Sequence, residues 1–238
     1  MAIERDEIFL KAQNLSLLFP SGGKATPGLQ LGWRKLLGAN IPDVQVKRKY
    51  SLQGINIDLK AGDRLALSGT NGAGKTTLLK LLSGGLPPTT GKVEYNGRLM
   101  NMLNPSVGIN TEATGYENIL LKGLYLNQSL KDMRDIAGEI IEFSELGEAI
   151  YQPVRTYSAG MRARLSFSIV VFSKPDILLL DEWLGVSDKS FQKKAANKMR
   201  DFVESSSITV LATHNERLKK MICNRELILK NGQVIEEK

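Results

Sequence analysis

A glycine-rich segment near residue 70 has the residue types and the spacing of a phosphate-binding loop. It reads Gly69-Thr70-Asn71-Gly72-Ala73-Gly74-Lys75-Thr76, which matches the P-loop pattern residue for residue. The glycines allow a tight turn in which successive backbone N–H groups point at phosphate oxygens. Lys75 is then expected to reach the β- and γ-phosphates of a nucleotide, Thr76 to offer its hydroxyl to Mg²⁺, and Thr77 to contact the α-phosphate.

Two carboxylates follow a strand-like apolar run further along the chain. Asp181 and Glu182 come directly after Ile177–Leu180. In an open α/β sheet, ligands bind beyond the carboxyl ends of the strands, so this pair is expected at the same edge as the phosphate-binding loop. We expect Asp181 to hold Mg²⁺ through water. We expect Glu182 to act as the general base that polarises the attacking water.

Two further motifs accompany the loop and the carboxylates. Tyr157–Met161 (YSAGM) stands at the start of a predicted helix, where Ser158, Gly160 and backbone amides are suited to bind a γ-phosphate. Taken alone, the same segment is also explained by a serine at a helix N-cap. His214, which is the only histidine of the chain, follows a predicted buried strand.

The order of these motifs along the chain resembles the ABC ATPase family. In this resemblance YSAGM is a variant of the signature motif, Ser187–Asp188 corresponds to the D-loop, and His214 is the switch histidine that contacts the γ-phosphate. The resemblance implies hydrolysis of ATP with Mg²⁺, in which Lys75, Glu182 and His214 are the catalytic side chains. It also implies a homodimer, because in this family the signature motif of one subunit closes over ATP held by the P-loop of another.

The sequence departs from the family pattern at two places. The family usually carries a glutamine in the loop that enters the helical lobe, and residues 96–127 contain none. Asn104 is the best substitute by spacing, and its shorter side chain is expected to reach Mg²⁺ or the attacking water. For the aromatic ring that stacks on adenine, Phe19 ends the first predicted strand in the usual place, and Tyr50 is its competitor.

Within the family, the chain resembles ATPase subunits that export O-antigen, capsule or teichoic-acid polysaccharides across the bacterial inner membrane. This likeness is carried by Thr114–Ile119 (TGYENI), Tyr157–Leu165 (YSAGMRARL) and a long basic insertion at about 20–50. It implies two copies of a membrane-spanning permease as partners and a peripheral location on the cytoplasmic face of the inner membrane. Some O-antigen members carry a carbohydrate-binding domain after the motor, and we expect none here, since the chain stops at Lys238 just past its final predicted hairpin.

Hydrophobic periodicity predicts the elements that must position these residues. Strands and helices alternate in the manner of a parallel sheet covered on both faces. The predicted strands are 7–19, 52–60, 64–68, 176–180, 207–212, 226–229 and 233–235, the last two flanking a turn at Asn231–Gly232. The predicted helices are 75–83, 115–126, 130–143, 158–172 and 189–204. The expected fold is α/β: a single nucleotide-binding domain over residues 1–238, with a P-loop core sheet, an antiparallel β region and an inserted helical lobe at about 98–172.

The charge of the chain is concentrated in one segment. The net charge is +7, and residues 24–50 contain six lysines and arginines against Asp43 alone, which gives +5 for that segment. In the same segment, Leu29, Trp33, Leu36 and Leu37 fall at helical spacing. We expect the segment to face anionic lipid headgroups of the inner leaflet or a membrane partner, with a plain solvated loop as the alternative. No comparable basic cluster alternates with exposed aromatic residues, so no nucleic-acid partner is expected.

Other features of the composition indicate a cytoplasmic chain. No apolar run approaches the roughly 18–20 residues that span a bilayer, and the acidic N-terminus is unlike a secretory signal. A single cysteine, Cys223, excludes an internal disulfide framework and fits a reducing compartment.

Three other functions compete with polysaccharide export. The first is an ABC motor for another substrate, such as a lipid or a drug. The second is a soluble ABC ATPase that acts on nucleic acid or ribosomes, which the basic charge mildly favours. Such proteins often have two motor units or long coiled-coil insertions, and this chain has neither. The third is a nucleotide sensor that does not hydrolyse, which the presence of Lys75, Asp181, Glu182 and His214 disfavours.

Overall fold

The structure is a computed structural model that describes residues 8–21, 47–102, 107–181 and 189–238. Four sets of predictions lie outside the described residues: Asn104, Glu182, the D-loop pair Ser187–Asp188, and the part of the basic insertion at 22–46, which includes its predicted short helix.

An antiparallel sheet opens the described chain. Strand β1 (Phe9–Ser21) pairs with β2 (Lys47–Lys60) on one side and with β4 (Thr90–Asn96) on the other. In β2 the side chains of Ile55, Ile57 and Leu59 are buried and those between them are exposed, as expected for a strand with one covered face. The predicted antiparallel region is therefore confirmed, although β2 begins five residues before the predicted position 52.

A second sheet forms the core. Among the described residues it contains β3 (Arg64–Ser68), β5 (Leu99–Met102), β6 (Ile177–Asp181), β7 (Ile208–Ala212), β8 (Arg225–Lys230) and β9 (Gln233–Glu237), in the order β5-β6-β7-β3-β8-β9. Neighbouring strands are parallel except β8 and β9. The turn between β8 and β9 has positive φ at Asn231 (50°) and Gly232 (78°), which is the backbone that a tight hairpin favours.

The described helices pack around the core sheet or form a separate lobe. Their bounds are α1 (Lys75–Leu82), α2 (Gly115–Tyr125), α3 (Leu130–Ser144), α4 (Ala159–Val171), α5 (Lys189–Ser205) and α6 (Glu216–Ile222). The lobe consists of α2, α3 and α4 together with two short 3₁₀ turns at Gly147–Tyr151 and Val154–Thr156. Within the described ranges, none of these helices has the length and apolar character needed to cross a bilayer.

The two faces of β6 enter two different hydrophobic cores. Leu178 and Leu180 pack with the helical lobe and α5, whereas Ile177 and Leu179 pack with α1 and the antiparallel sheet. Successive side chains of a strand point to opposite faces, so a strand covered on both sides must be apolar throughout. This explains the uninterrupted apolar run, and it fixes Asp181 at the first position where the strand leaves the core.

The TGYENI stretch begins α2 with a capping box. The hydroxyl of Thr114 accepts from the backbone N–H of Glu117 (3.1 Å), and the N–H of Thr114 donates to Glu117 Oε2 (2.7 Å). The backbone N–H of Thr114, and then its hydroxyl, donate to the Glu117 carboxylate, and these two bonds lower the pKa of that carboxyl. The next residue, Asn118, is fully buried, and its side-chain amide donates to the carbonyls of Asn110 and Thr114 at 2.8 Å each. The stretch therefore fixes the direction in which the chain enters the lobe.

Two edge strands differ from the sequence prediction. The helical lobe is expected from about residue 98, yet Leu99–Met102 is a strand that pairs with β6, and the first described helix of the lobe begins at Gly115. Strand β4 is also additional, and most of its residues are exposed. Both strands are held by hydrogen bonds to distant partners, and a short or polar sequence shows no periodicity that would reveal them.

Candidate nucleotide-binding site

The phosphate-binding loop lies between the end of β3 and the start of α1. Gly69 and Gly74 have φ angles of 143° and 112°, which are values that favour glycine. A Cβ at Gly69 would lie 2.3 Å from the carbonyl oxygen of Leu229, and one at Gly74 would lie 2.8 Å from Leu52 Cδ2. Glycine at these positions therefore lets the loop approach β8 and β2 closely.

Lys75 is the first residue of α1 and folds back over the loop. It is 9% exposed, and its Nζ donates to the carbonyl oxygens of Gly69 (2.8 Å) and Thr70 (3.3 Å). Both acceptors are neutral, so the ammonium charge is held at the loop, where the backbone N–H groups of a helix start also attract anions. This arrangement suits a phosphate group.

Thr76 and Asp181 meet beside the loop. The Thr76 hydroxyl donates to Asp181 Oδ2 at 2.6 Å. Hydroxyl and carboxylate oxygens are the hard ligands that Mg²⁺ takes in nucleotide sites. The two predicted metal-binding side chains that the structure describes are therefore brought together, and their donor atoms fit a divalent cation.

A cavity of about 320 Å³ lies over the loop. Its lining contains Ser51, Asn71, Gly72, Gly74, Lys75, Thr76, Thr77, Asp181, Ala212 and His214. Strands β6, β7 and β3 are neighbours in the core sheet, and parallel strands end at one edge. This topology is why Asp181 and His214 join the loop although both are far from it in sequence.

The remaining loop residues support Lys75 or pack into the core. The sequence analysis did not predict two of the residues that line the cavity. Gly69 and Thr70 contact Lys75 through their carbonyls, while Ala73 is 2% exposed and packs in the core beneath the loop. Ser51 and Ala212 line the cavity without having been predicted. The available signal for Ser51 was its position next to the aromatic candidate Tyr50, and Ala212 carries no polar side chain that would single it out.

The two candidates for the adenine-stacking ring lie at adjacent register positions. Phe19 and Tyr50 are 46% and 45% exposed, and β1 pairs with β2 so that Leu18 opposes Tyr50 and Phe19 opposes Lys49. Tyr50 directly precedes Ser51, which lines the cavity. Both rings are therefore at the end of the antiparallel sheet nearest the loop, and both remain candidates.

The YSAGM segment forms the start of α4. Ser158 is the N-cap, and its hydroxyl accepts from the backbone N–H of Met161 at 3.2 Å. The hydroxyl of Tyr157 donates to the carbonyl of Ala149 at 2.5 Å, which ties the segment to the lobe. Ser158 and Gly160 are exposed, and neither lines the cavity that contains Lys75. In one subunit, then, the segment is an exposed helix start outside that subunit's own phosphate-binding cavity.

Comparison with known sequences identifies the family. Residues 52–185 match the family described as "ABC transporter". A protein named teichoic acids export ATP-binding protein, from Lactiplantibacillus plantarum, is 37% identical over 197 residues, which are 83% of this chain and 54% of that protein. A protein named O-antigen export system ATP-binding protein, from Yersinia enterocolitica, is 41% identical over 187 residues, which are 79% of this chain and 78% of that protein. The chain thus spans about half of the first relative and about three quarters of the second.

Comparison with solved structures supports the fold. The dimeric structure of the ATP-binding cassette MJ0796 in a post-hydrolysis state, bound to ADP and Pi, has a TM-score of 0.68 at 20% identity and covers 96% of this chain and 97% of that chain. A structure described as the ATP binding subunit of an ABC transporter has a TM-score of 0.70, also at 20% identity, and covers 97% of this chain and 89% of that chain. The expected α/β cassette fold is confirmed. The chain belongs to the ABC transporter family of ATP-binding proteins, because residues 52–185 match that family and the chain is 41% identical to the Yersinia protein.

Proposed function

We propose that this chain binds ATP with Mg²⁺ at the carboxyl edge of its core sheet and hydrolyses it to drive export of a lipid-linked polysaccharide. The observation that carries the proposal is the convergence of Lys75, Thr76, Asp181 and His214 on one cavity of about 320 Å³. A lysine on the phosphates, oxygen ligands for a metal and a group beside the γ-phosphate are the recurring parts of phosphoryl-transfer sites.

The phosphate contacts follow from the loop geometry. The Lys75 ammonium exchanges its bonds to the Gly69 and Thr70 carbonyls for bonds to the β- and γ-phosphate oxygens, which are stronger because the acceptor is charged. Thr77 and the loop amides contact the remaining phosphate oxygens. Thr76 and Asp181 would hold Mg²⁺, Asp181 through water, and the ion would neutralise part of the phosphate charge.

Hydrolysis requires a group that activates water. Glu182 directly follows Asp181 at the end of β6, so we assign it the role of general base. His214 lines the cavity just after β7 and contacts the γ-phosphate. Asn104 remains the proposed substitute for the loop glutamine, and its place in the chain is shortly after the end of β5.

The complete site needs two subunits. Ser158 and Gly160 are exposed at the start of α4 and lie outside the cavity lining. We assign them to the ATP held by Lys75 of a second copy, where the N-terminal end of α4 faces the γ-phosphate. The dimeric form of the MJ0796 cassette, which has the same fold, supports this arrangement.

The substrate and the membrane partner are inferred from the relatives. The proteins from Lactiplantibacillus plantarum and Yersinia enterocolitica are named as subunits of teichoic-acid and O-antigen export systems. Both substrates are polysaccharides, so we assign a lipid-linked polysaccharide to this chain. Two copies of the chain would act with two copies of a membrane-spanning permease on the cytoplasmic face of the inner membrane.

A pair of lysine variants tests the proposal. Lys75→Ala is expected to abolish binding of a fluorescent ATP analogue and to stop polysaccharide export in cells that lack the wild-type gene. Lys80→Ala is the matched control, because Lys80 is exposed in the last turn of the same helix. Unchanged nucleotide affinity in Lys75→Ala would show that the loop is not the site. Normal surface polysaccharide in cells whose Lys75→Ala protein binds no ATP would rule out the assigned substrate.

A further inference from the structure

A polar network joins the strand that enters the phosphate-binding loop to the helix that follows His214. Ser68 is the last residue of β3, next to Gly69, and its hydroxyl donates to Glu226 Oε1 of β8 at 2.5 Å. The same carboxylate oxygen accepts from Lys219 Nζ of α6 at 2.6 Å. A single oxygen atom of Glu226 therefore bridges the strand that ends at the phosphate-binding loop and the helix that follows His214.

Both charged members of the network are shielded from solvent. The side chains of Lys219 and Glu226 are 14% and 19% exposed. Hydrogen bonds from Lys219 and then from Ser68 lower the pKa of Glu226. Burial alone would lower the pKa of Lys219, but its bonds to Glu226 and Glu216 outweigh burial and raise it. Both groups are thus charged at neutral pH, and charge-assisted bonds in a shielded position hold geometry better than neutral surface contacts do.

Helix α6 is also connected to the turn that carries His214. The N-cap of α6 is Asn215, whose side-chain oxygen accepts from the N–H groups of Arg217 and Leu218 at 3.1 Å each. The N–H of Asn215 donates to Thr213 Oγ1 at 3.1 Å. His214 lies between these two anchored residues, so a shift of α6 moves its backbone.

We propose that Glu226 is a positioning residue for ATP hydrolysis. By bridging Ser68 and Lys219, its carboxylate sets the position of the turn that carries His214 relative to the phosphate-binding loop. The inference rests on the proposed function, in which Lys75 of the loop and His214 both contact the γ-phosphate. None of the three network residues lines the cavity, so they act through the loop and the turn and not by touching the nucleotide.

The expected signature is a loss of turnover without a comparable loss of ATP binding. Glu226→Gln keeps the shape but removes the charge, and we expect kcat to fall about tenfold, as is common when a residue that orients a site residue is changed. KM for ATP should stay near the wild-type value, because Lys75 and the loop amides are unchanged. Ser68→Ala removes only the connection to the loop, and it should also lower kcat while KM stays unchanged. Ser68→Thr keeps a hydroxyl at this position, so its kcat should recover relative to that of Ser68→Ala.

A matched control lies on the same lysine. Glu216 also accepts from Lys219, at 2.9 Å, but its side chain is 69% exposed. Glu216→Gln should therefore leave kcat and KM unchanged. Thermal unfolding of each variant separates a local shift of the site from a general loss of stability.

The test is steady-state hydrolysis of MgATP by the purified full chain, together with titration of a fluorescent ATP analogue. The inference is supported if Ser68→Ala and Glu226→Gln lower kcat with KM retained, and if Ser68→Thr recovers it. It is overturned if both variants stay within about twofold of the wild-type kcat, or if kcat, KM and thermal stability all worsen together without recovery in Ser68→Thr. If kcat is low in His214→Ala but at the wild-type value in Ser68→Ala, this inference is overturned and the proposed function still stands. A wild-type chain that hydrolyses no ATP would overturn the proposed function and this inference with it.

Discussion

The hydroxyl of Thr76 donates a hydrogen bond to Asp181 Oδ2 at 2.6 Å, although the two residues are 105 positions apart. The bond joins the first turn of α1 to the last residue of β6, and the packing of α1 against Ile177 and Leu179 holds these elements together. The oxygens of both side chains thus lie beside the phosphate-binding loop.

The position of Asp181 leads to a prediction for its neighbour Glu182. Glu182→Gln should bind ATP but hydrolyse it about 10²–10⁴-fold more slowly, because an amide cannot accept the proton of the attacking water. The ATP that persists should hold two subunits together, which size-exclusion chromatography with MgATP would detect as a dimer. Glu148→Gln, at an exposed position of the lobe, is the control. Turnover close to wild type in Glu182→Gln would exclude this carboxylate as the base.

A second prediction separates Phe19 from Tyr50. Replacing the adenine-stacking ring by alanine should weaken ATP binding about 5- to 150-fold, since base–aromatic stacking contributes about 1–3 kcal/mol. Replacing the other ring should leave ATP affinity unchanged. Inorganic tripolyphosphate, which has no base, should compete with ATP for the site of each variant, and it should bind both variants equally well. If Phe19→Ala and Tyr50→Ala both keep wild-type ATP affinity, neither ring stacks on the base.

The site was predictable where chemistry depends on local spacing. The loop needs Gly69 and Gly74 for its backbone and Lys75 for its charge, and all three lie within one short segment. The approach of Asp181 and His214 to that loop was predictable because parallel strands end at one edge of a sheet. The roles of these residues in hydrolysis stay predictions.

What the sequence could not show depends on contacts between distant segments. Strand β5 is too short to have a recognisable period, and its pairing with β6 decides that it belongs to the core sheet. The bond between Ser68 and Glu226 joins residues 158 positions apart, and no motif contains either residue. In the same way, Ser51 lines the cavity only because β2 folds back along β1.

A third prediction concerns the buried lysine of the helical lobe. Lys122 of α2 is 1% exposed, and its ammonium donates to Ser166 Oγ of α4. Burial lowers the pKa of Lys122 from 10.5 to about 7. Between about pH 7 and pH 10.5, Lys122 binds more protons in the unfolded chain than in the folded chain. The contribution of Lys122 to the free energy of unfolding therefore increases as the pH rises. The full contribution is present above the unfolded pKa and is lost as the pH falls toward the folded pKa.

Lys122→Met should therefore raise the free energy of unfolding more at about pH 7.5 than at about pH 10. Urea unfolding at the two pH values measures the difference. Lys131→Met, at an exposed position of the neighbouring helix α3, controls for the loss of one positive charge. An equal loss of stability at both pH values would mean that the bond to Ser166 outweighs the burial of the charge.

The last prediction concerns the basic segment at residues 24–50, most of which lies outside the described residues. Its charge of +5 is most of the net charge of the chain. Anionic headgroups attract each nearby lysine or arginine by about 1 kcal/mol, and salt screens this attraction over roughly 10 Å at 0.1 M. We expect the segment to face the inner leaflet or the permease.

Charge reversal tests that expectation. Changing Arg34, Lys35, Lys47 and Arg48 together to Glu should leave the ATPase activity of the isolated chain nearly intact, because none of them belongs to a phosphate-binding motif. The same change should weaken sedimentation with anionic vesicles, or weaken assembly with the permease, and it should reduce export in cells. A control with equal charge change reverses four exposed residues of α3 and α5: Lys131, Arg134, Lys193 and Arg200. If vesicle binding, assembly and export all survived the first quadruple change, the segment would be a solvated insertion whose apolar residues Leu29, Trp33, Leu36 and Leu37 need another explanation.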